Sequence, residues 1–135
     1  MRLWHEDLLN KIPRQQLLGQ HRECCALRGK GWGKSHSTVN YVFENKPAKL
    51  VAYHFVVMSE MRKRGYNPND KWMNSEYRGK KLGDDFEFCR LLIVEELLEK
   101  DRVIYDEHNE AYLKECVENL DGKGCVCRFL DENLE

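Results

Sequence analysis

The run from Pro47 to Gly65, PAKLVAYHFVVMSEMRKRG, leaves this chain few architectures to choose from. Leu50, Tyr53, His54, Val57, Met58 and Met61 recur at helical spacing and fall on one face. Pro47 suits a first helical position, Arg62, Lys63 and Arg64 load the last turn where cations favour the dipole, and Gly65 is a natural stop. A long helix with one apolar face must bury that face against another element. The segment 13–27, PRQQLLGQHRECCAL, supplies one, with Leu17, Leu18, His21, Cys24 and Cys25 at the same period behind Pro13. Residues 86–100 (FEFCRLLIVEELLEK) and 109–120 (NEAYLKECVENL, before Gly122) read as two more helices. The glycine-punctuated RGKGWGKSH and the stretch 66–85 read as loops, while periodicity leaves 37–44 open between a short helix and an extended piece. No sustained alternating run calls for a sheet, so the expectation is an all-α domain of three to five helices over residues 1–135.

A chain of 135 residues can bury a real core, and none of its apolar runs approaches the length of a membrane span. Glu6 and Asp7 fall where a secretory signal would carry its apolar run, so export is not expected. The six cysteines are then reduced thiols in a cytoplasmic protein rather than a disulfide framework. Charge is strongly asymmetric. Residues 1–83 carry 16 Lys and Arg against 7 Asp and Glu, and residues 84–135 carry 6 against 16. Either the basic half offers a surface to an anionic partner such as nucleic acid, or the two halves attract one another in the fold.

Several residues invite chemical readings. Cys24 with Cys25, and Cys125 with Cys127, raise zinc, but structural zinc cysteines are usually spaced by two to four residues, so buried thiols fit better and no metal is expected. His54 lies on the apolar face of its helix and reads as a core histidine, whereas His5 and His36 sit in polar or basic segments. A cysteine nucleophile beside His21 is a minor reading, because residues one turn apart pair often by chance. The basic residues Arg2, Arg14, Arg22, the loop 28–34, Lys80 and Lys81 are of the type that neutralises phosphates, with Trp4, Trp32, Trp72, Tyr66 and Tyr77 interleaved for stacking on bases. The competing reading is a solvated basic face with its aromatics turned inward. Glu23, set between Arg22 and a cysteine pair on a half-buried face, is costly unless it has a partner.

The helix PRQQLLGQHRE, with Arg22 and Glu23 followed by Arg28, resembles the first helix of the phage pyrimidine-dimer DNA glycosylases of the endonuclease V type. GKSHSTVNYVFENKPAKLVAYHFVVMSEMRKRGYNP is similar to that family's histidine, aromatic-rich turn and long helix, with His36, Arg64, Gly65 and Tyr66 in the corresponding places. IYDEHNEAYLKECVENL resembles its last helix more weakly, and MRLWH, RQQLLGQHRECC and YRGK also resemble small bacterial relatives of the enzyme. Residues 83–103 are extra relative to the phage form.

The resemblance implies a glycosylase and abasic-site lyase in which the chain's own amine, here that of Met1, forms a Schiff base at C1′ of a damaged nucleotide, with no cofactor. Glu23 would stabilise charge and move protons, and Arg2, Arg22, Arg28, His36 and Lys80 would meet the DNA. The implied partner is double-stranded DNA with dimers or abasic sites, bound by a monomer, and a non-catalytic nucleic-acid- or protein-binding module is the alternative. Two departures stand out: Arg2 follows Met1 where the phage enzyme has a small residue, and the C-terminus is acidic where the family's is aromatic. Gln16 and Gly19, two turns and one turn before Glu23, are expected to leave room for the amine, and Trp72 and Tyr77 to replace the aromatic tail.

Overall fold

The computed structural model of the chain describes residues 3–29, 32, 41–42, 45, 47–80, 82–84, 94, 97–98, 104–105 and 107–122. In order these carry a 3-10 turn at Glu6–Leu8, helix α1 at Arg14–Arg28, helix α2 at Pro47–Lys63, a 3-10 turn at Asp70–Met73 and helix α3 at Glu110–Gly122. Among the described residues there is no strand, only an isolated antiparallel bridge between Tyr77 and Asp84. The all-α expectation holds. No described helix is long and apolar enough to cross a membrane.

Pro13 sits one position earlier than expected, as the extended N-cap of α1 rather than its first helical residue. Its ring fixes φ at a value compatible with helix entry, and the amide it lacks would have had no helical partner. The exit is tighter. Gly29 donates its N–H to Cys25 O at 3.1 Å, and a Cβ built on Gly29 would lie 2.9 Å from the Arg78 carbonyl oxygen. That oxygen belongs to a backbone segment itself tied to α1, because Arg78 Nε donates to Arg28 O at 2.9 Å. Gly29→Ala should therefore lower stability by about 1–3 kcal/mol, since the clash is with backbone that cannot rotate away. Urea unfolding midpoints would show it.

The apolar face expected for α2 is buried as drawn: Leu50, Tyr53, His54, Val57, Met58 and Met61 are all inside. Gly65, at φ +87°, closes the helix in a Schellman pattern, with Tyr66 N–H donating to Met61 O and Gly65 N–H to Arg62 O. α1 packs on α2 through Leu17, Cys24 and Leu27. The N-terminal residues Leu3, Trp4, Leu8, Leu9 and Ile12 join the same core with Cys116 and Leu120 of α3. Each such side chain contributes about 1.5–3 kcal/mol when fully buried. The aromatic reading needs correction at two positions: Trp4 and Tyr77 are buried and offer no face to a base.

The described residues 66–80 are more ordered than the loop reading of 66–85 implies. Asn69 caps the Asp70–Met73 turn by accepting from Lys71 N–H, and the carbonyls that follow are gathered by a side chain from α1, described below. Of the expected helix 86–100, only Val94, Leu97 and Leu98 fall among the described residues, all helical, and of 37–44 only Tyr41 and Val42, also helical.

Candidate active site on the first helix

α1 carries Gln20 and Glu23 three residues apart, hence about 4.5 Å along the axis and on neighbouring positions of one face. Both are buried, Glu23 to 4 % exposure. The extended segment Leu3–His5 is fastened beside them. Trp4 N–H donates to Gln20 Oε1 at 2.7 Å, and Tyr53 of α2 donates its hydroxyl to Trp4 O at 2.5 Å while lying 3.1 Å from the same Gln20 oxygen. From α3, the Tyr112 hydroxyl donates to Leu3 O. Three helices thus hold one short segment at the face that carries Glu23. A Cβ on Gly19 would meet nothing nearer than an Arg22 nitrogen at 3.8 Å, so that part of the face is open.

His5 ends this segment in a buried polar cluster. Its ring stacks on His108 at 5.5 Å, Tyr41 Oη lies 2.6 Å from His108 Nε2, and Glu6 Oε2 accepts the amides of Ile104 and Tyr105 while lying 3.4 Å from His108 Nδ1. His5 Nδ1 accepts Asp7 N–H at 3.1 Å. Burial lowers the His5 pKa, outweighing the Asp7 carboxylate, which raises it. His5 therefore enters the fold neutral, while the unfolded chain takes up a proton below about pH 6.5. Stability should be fully present above that pH and fall by up to about 1.4 kcal/mol per unit as pH drops toward the folded value. His5→Asn keeps a side-chain acceptor for Asp7 N–H, and it should flatten that part of the urea-midpoint curve between pH 7 and 5. A curve of unchanged slope would count against His5 as the source.

The other expected site residues are scattered. Met1, Arg2 and His36 lie outside the described residues. Arg22 and Lys80 are exposed and open to a polyanion. Arg28 is not: it is fully buried. Its guanidinium donates to Trp72 O at 2.8 Å, Asn74 O at 2.6 Å and Tyr77 O at 2.9 Å, stands 3.0 Å from His54 Nδ1, and lies over the Trp72 ring at 5.0 Å. A phosphate cannot reach a guanidinium committed in this way, so Arg28 fastens the 70–77 segment to α1. Trp72, half buried, and Tyr77, buried, pack edge to face at 4.7 Å.

Beyond Arg28, α1 and α2 bring His21, Cys25 and His54 together. Burial holds the His54 pKa well below its ordinary value, with the Arg28 and His21 charges acting the same way, and lowers that of His21 together with Arg22 and Arg28. The Cys25 thiol is pushed up to about 12 by burial, so at neutral pH it is protonated and no nucleophile. Cys24 is buried, and burial raises its pKa well above the ordinary thiol value as well. Among the described cysteines Cys24, Cys25 and Cys116 form no disulfide, and Cys89, Cys125 and Cys127 lie outside the described residues.

Over residues 1–74, more than half of the chain, the sequence matches the family model described as pyrimidine dimer DNA glycosylase. The chain belongs to the pyrimidine dimer DNA glycosylase family. No curated protein and no solved structure gave a significant match. The matched residues include the fastened segment 3–5, all of α1 with Gln20 and Glu23, and all of α2 with Tyr53. Tyr112 and His108 lie beyond them, so this member supports its N-terminal segment partly with residues outside the matched region. Sequence reasoning missed Gln20 and Tyr112, and it placed Tyr53 on the core face of α2 without the bonds its hydroxyl makes to the N-terminal segment. Gln20 had one available signal, a polar residue one turn before Glu23 on the same face.

Proposed function

We propose that this glycosylase-family chain removes damaged bases from double-stranded DNA, pyrimidine dimers first, and cleaves the resulting abasic strand through the α-amine of Met1. The carrying observation is the clamp of Leu3–His5 against the α1 face that holds buried Glu23. Three residues of extended chain span at most about 11 Å. An amine at Met1 is therefore tethered within reach of that face. An α-amine also suits the task, since with a pKa of about 7.7–8.0 roughly a quarter to two-fifths of it is neutral at pH 7.5.

In this reading the amine nitrogen bonds to C1′ as the glycosidic bond breaks and the base departs with a proton. Loss of the remaining amine proton and opening of the sugar ring leave a Schiff base. Abstraction of a C2′ proton then expels the 3′ phosphate by β-elimination, and water hydrolyses the imine to restore the amine. Glu23 is the proposed group for charge stabilisation and proton transfer at the sugar. Exposed Arg22 and Lys80, with Arg2 and His36, are the proposed DNA contacts.

Borohydride trapping tests the reading on protein whose free Met1 amine has been verified by intact mass. An adduct mapping to Met1 is expected with duplexes carrying an abasic site and with duplexes carrying a thymine dimer. Trapping on the abasic duplex alone would keep the lyase and remove the dimer specificity. No adduct on either would leave a binding module.

A further inference from the structure

His21, Cys25 and His54 take no part in the proposed amine chemistry, yet the packing of α1 on α2 assembles them with unusual closeness. His21 and Cys25 stand one helical turn apart on α1, and His54 meets them from α2. His54 Nε2 is 2.8 Å from His21 Nδ1 and 3.8 Å from Cys25 Sγ, and Cys25 Sγ is 3.9 and 3.8 Å from the two His21 nitrogens. One ligand atom from each residue lies within 4.8 Å of the others.

We propose that His21, Cys25 and His54 form a three-ligand binding site for a thiophilic d10 metal ion, Zn²⁺ or Cu⁺. Zinc holds nitrogen at about 2.0–2.1 Å and sulfur at about 2.3 Å in tetrahedral geometry, which sets ligand separations near ~3.4 Å for N···N and ~3.6 Å for N···S. The two nitrogen–sulfur separations found here already match. The His–His pair, at hydrogen-bonding distance, is shorter than the N···N value by only ~0.6 Å, a gap on the scale that rotation of the imidazole rings can open. Two imidazoles and one thiol select soft or borderline ions and exclude Mg²⁺ and Ca²⁺, which require oxygen ligands. His21 and Cys25 are only half buried, which gives an ion a way in and leaves the fourth position for water. The Trp72 ring packs beside His54, 5.9 Å from its ring.

The proton balance follows from Arg28. A guanidinium only donates, so His54 Nδ1 accepts from it and the His54 proton sits on Nε2, directed at His21 Nδ1. Binding at His54 Nε2 moves that proton to Nδ1 and turns the Arg28 NH1 group wholly onto Trp72 O, while its bonds to Asn74 O and Tyr77 O remain. Cys25 gives up its thiol proton to solvent, so one proton is released per ion. The thiolate formed offsets one unit of the ion's charge beside buried Arg28, which leaves Cu⁺ neutral in the site and Zn²⁺ singly positive. Sequence reasoning searched for metal in the cysteine pairs and left His54 as a core residue. The site stands whether or not the amine chemistry does.

Cobalt titration of the chelator-stripped full chain is the direct test, because thiolate-bound Co²⁺ gives a charge-transfer band in the near ultraviolet. The expected result is a saturable band at one ion per chain, displaced by Zn²⁺, with Cu⁺ uptake measured against a chromogenic chelator. Cys25→Ser and His21→Gln should each abolish the band or weaken affinity by at least about tenfold, while Cys24→Ala should keep it. A hundredfold excess of Zn²⁺ over Kd should also raise the wild-type melting midpoint by roughly 5–10 °C, a readout that needs no variant to fold. No band together with no stoichiometric uptake of Zn²⁺ or Cu⁺, or a band that survives both substitutions, would overturn the proposal.

Discussion

Glu23→Gln is expected to lower strand cleavage at an abasic site by about 10²–10⁴-fold, the range for losing a group that moves a proton or stabilises charge in the transition state. The substitution keeps the shape of a side chain that is 4 % exposed and removes only its charge and its proton traffic. DNA affinity should change by no more than a few-fold, since the exposed cations Arg22 and Lys80 are untouched. Single-turnover cleavage of an abasic duplex, measured beside binding and melting, separates these effects. Cleavage that persists undiminished would remove Glu23 from the chemistry, whatever the trapping experiment returns for Met1.

Sequence pattern carried the helices well because burial on one face of a helix is a local, periodic property. The six apolar positions of α2 and the stop at Gly65 were visible for that reason. The contacts that escaped are set by partners distant in sequence. Gln20 reaches Trp4 across 16 residues, Tyr53 reaches the same residue across 49, and Tyr112 reaches Leu3 across 109. A hydrogen bond between a side chain and a distant backbone group leaves no periodic trace, so the clamp on the N-terminal segment had no signature beyond the placing of a glutamine. His54 shows the limit from the other side. It is a buried residue of α2 as expected, yet both ring nitrogens are engaged, and its neighbours on α1 are three titratable side chains, His21, Cys25 and Arg28. The segment 70–77 looked featureless because its order is imposed from α1, by Arg28.

Arg28→Met is the substitution for which charge-based and structure-based readings part most sharply. Arginine near a basic loop reads as a phosphate contact, and removal of one such contact should weaken DNA binding and reduce the slope of log affinity against log salt by about one. The structure places the guanidinium out of solvent with three backbone carbonyls and His54 around it. Methionine fills much of the volume but donates nothing, so the Trp72, Asn74 and Tyr77 carbonyls lose a charge-assisted donor at once. A loss of about 3–5 kcal/mol is expected, as for breaking a buried ionic network from one side. Lysine, with a single charged centre, cannot span the three oxygens as a planar fork does, so Arg28→Lys should recover only part of the loss. Variants that stay folded under assay conditions should keep the wild-type salt slope, and reversing Arg22 should change it. A lowered slope with unaltered stability would instead return Arg28 to the DNA, and would require the 70–77 segment to leave α1 when DNA binds.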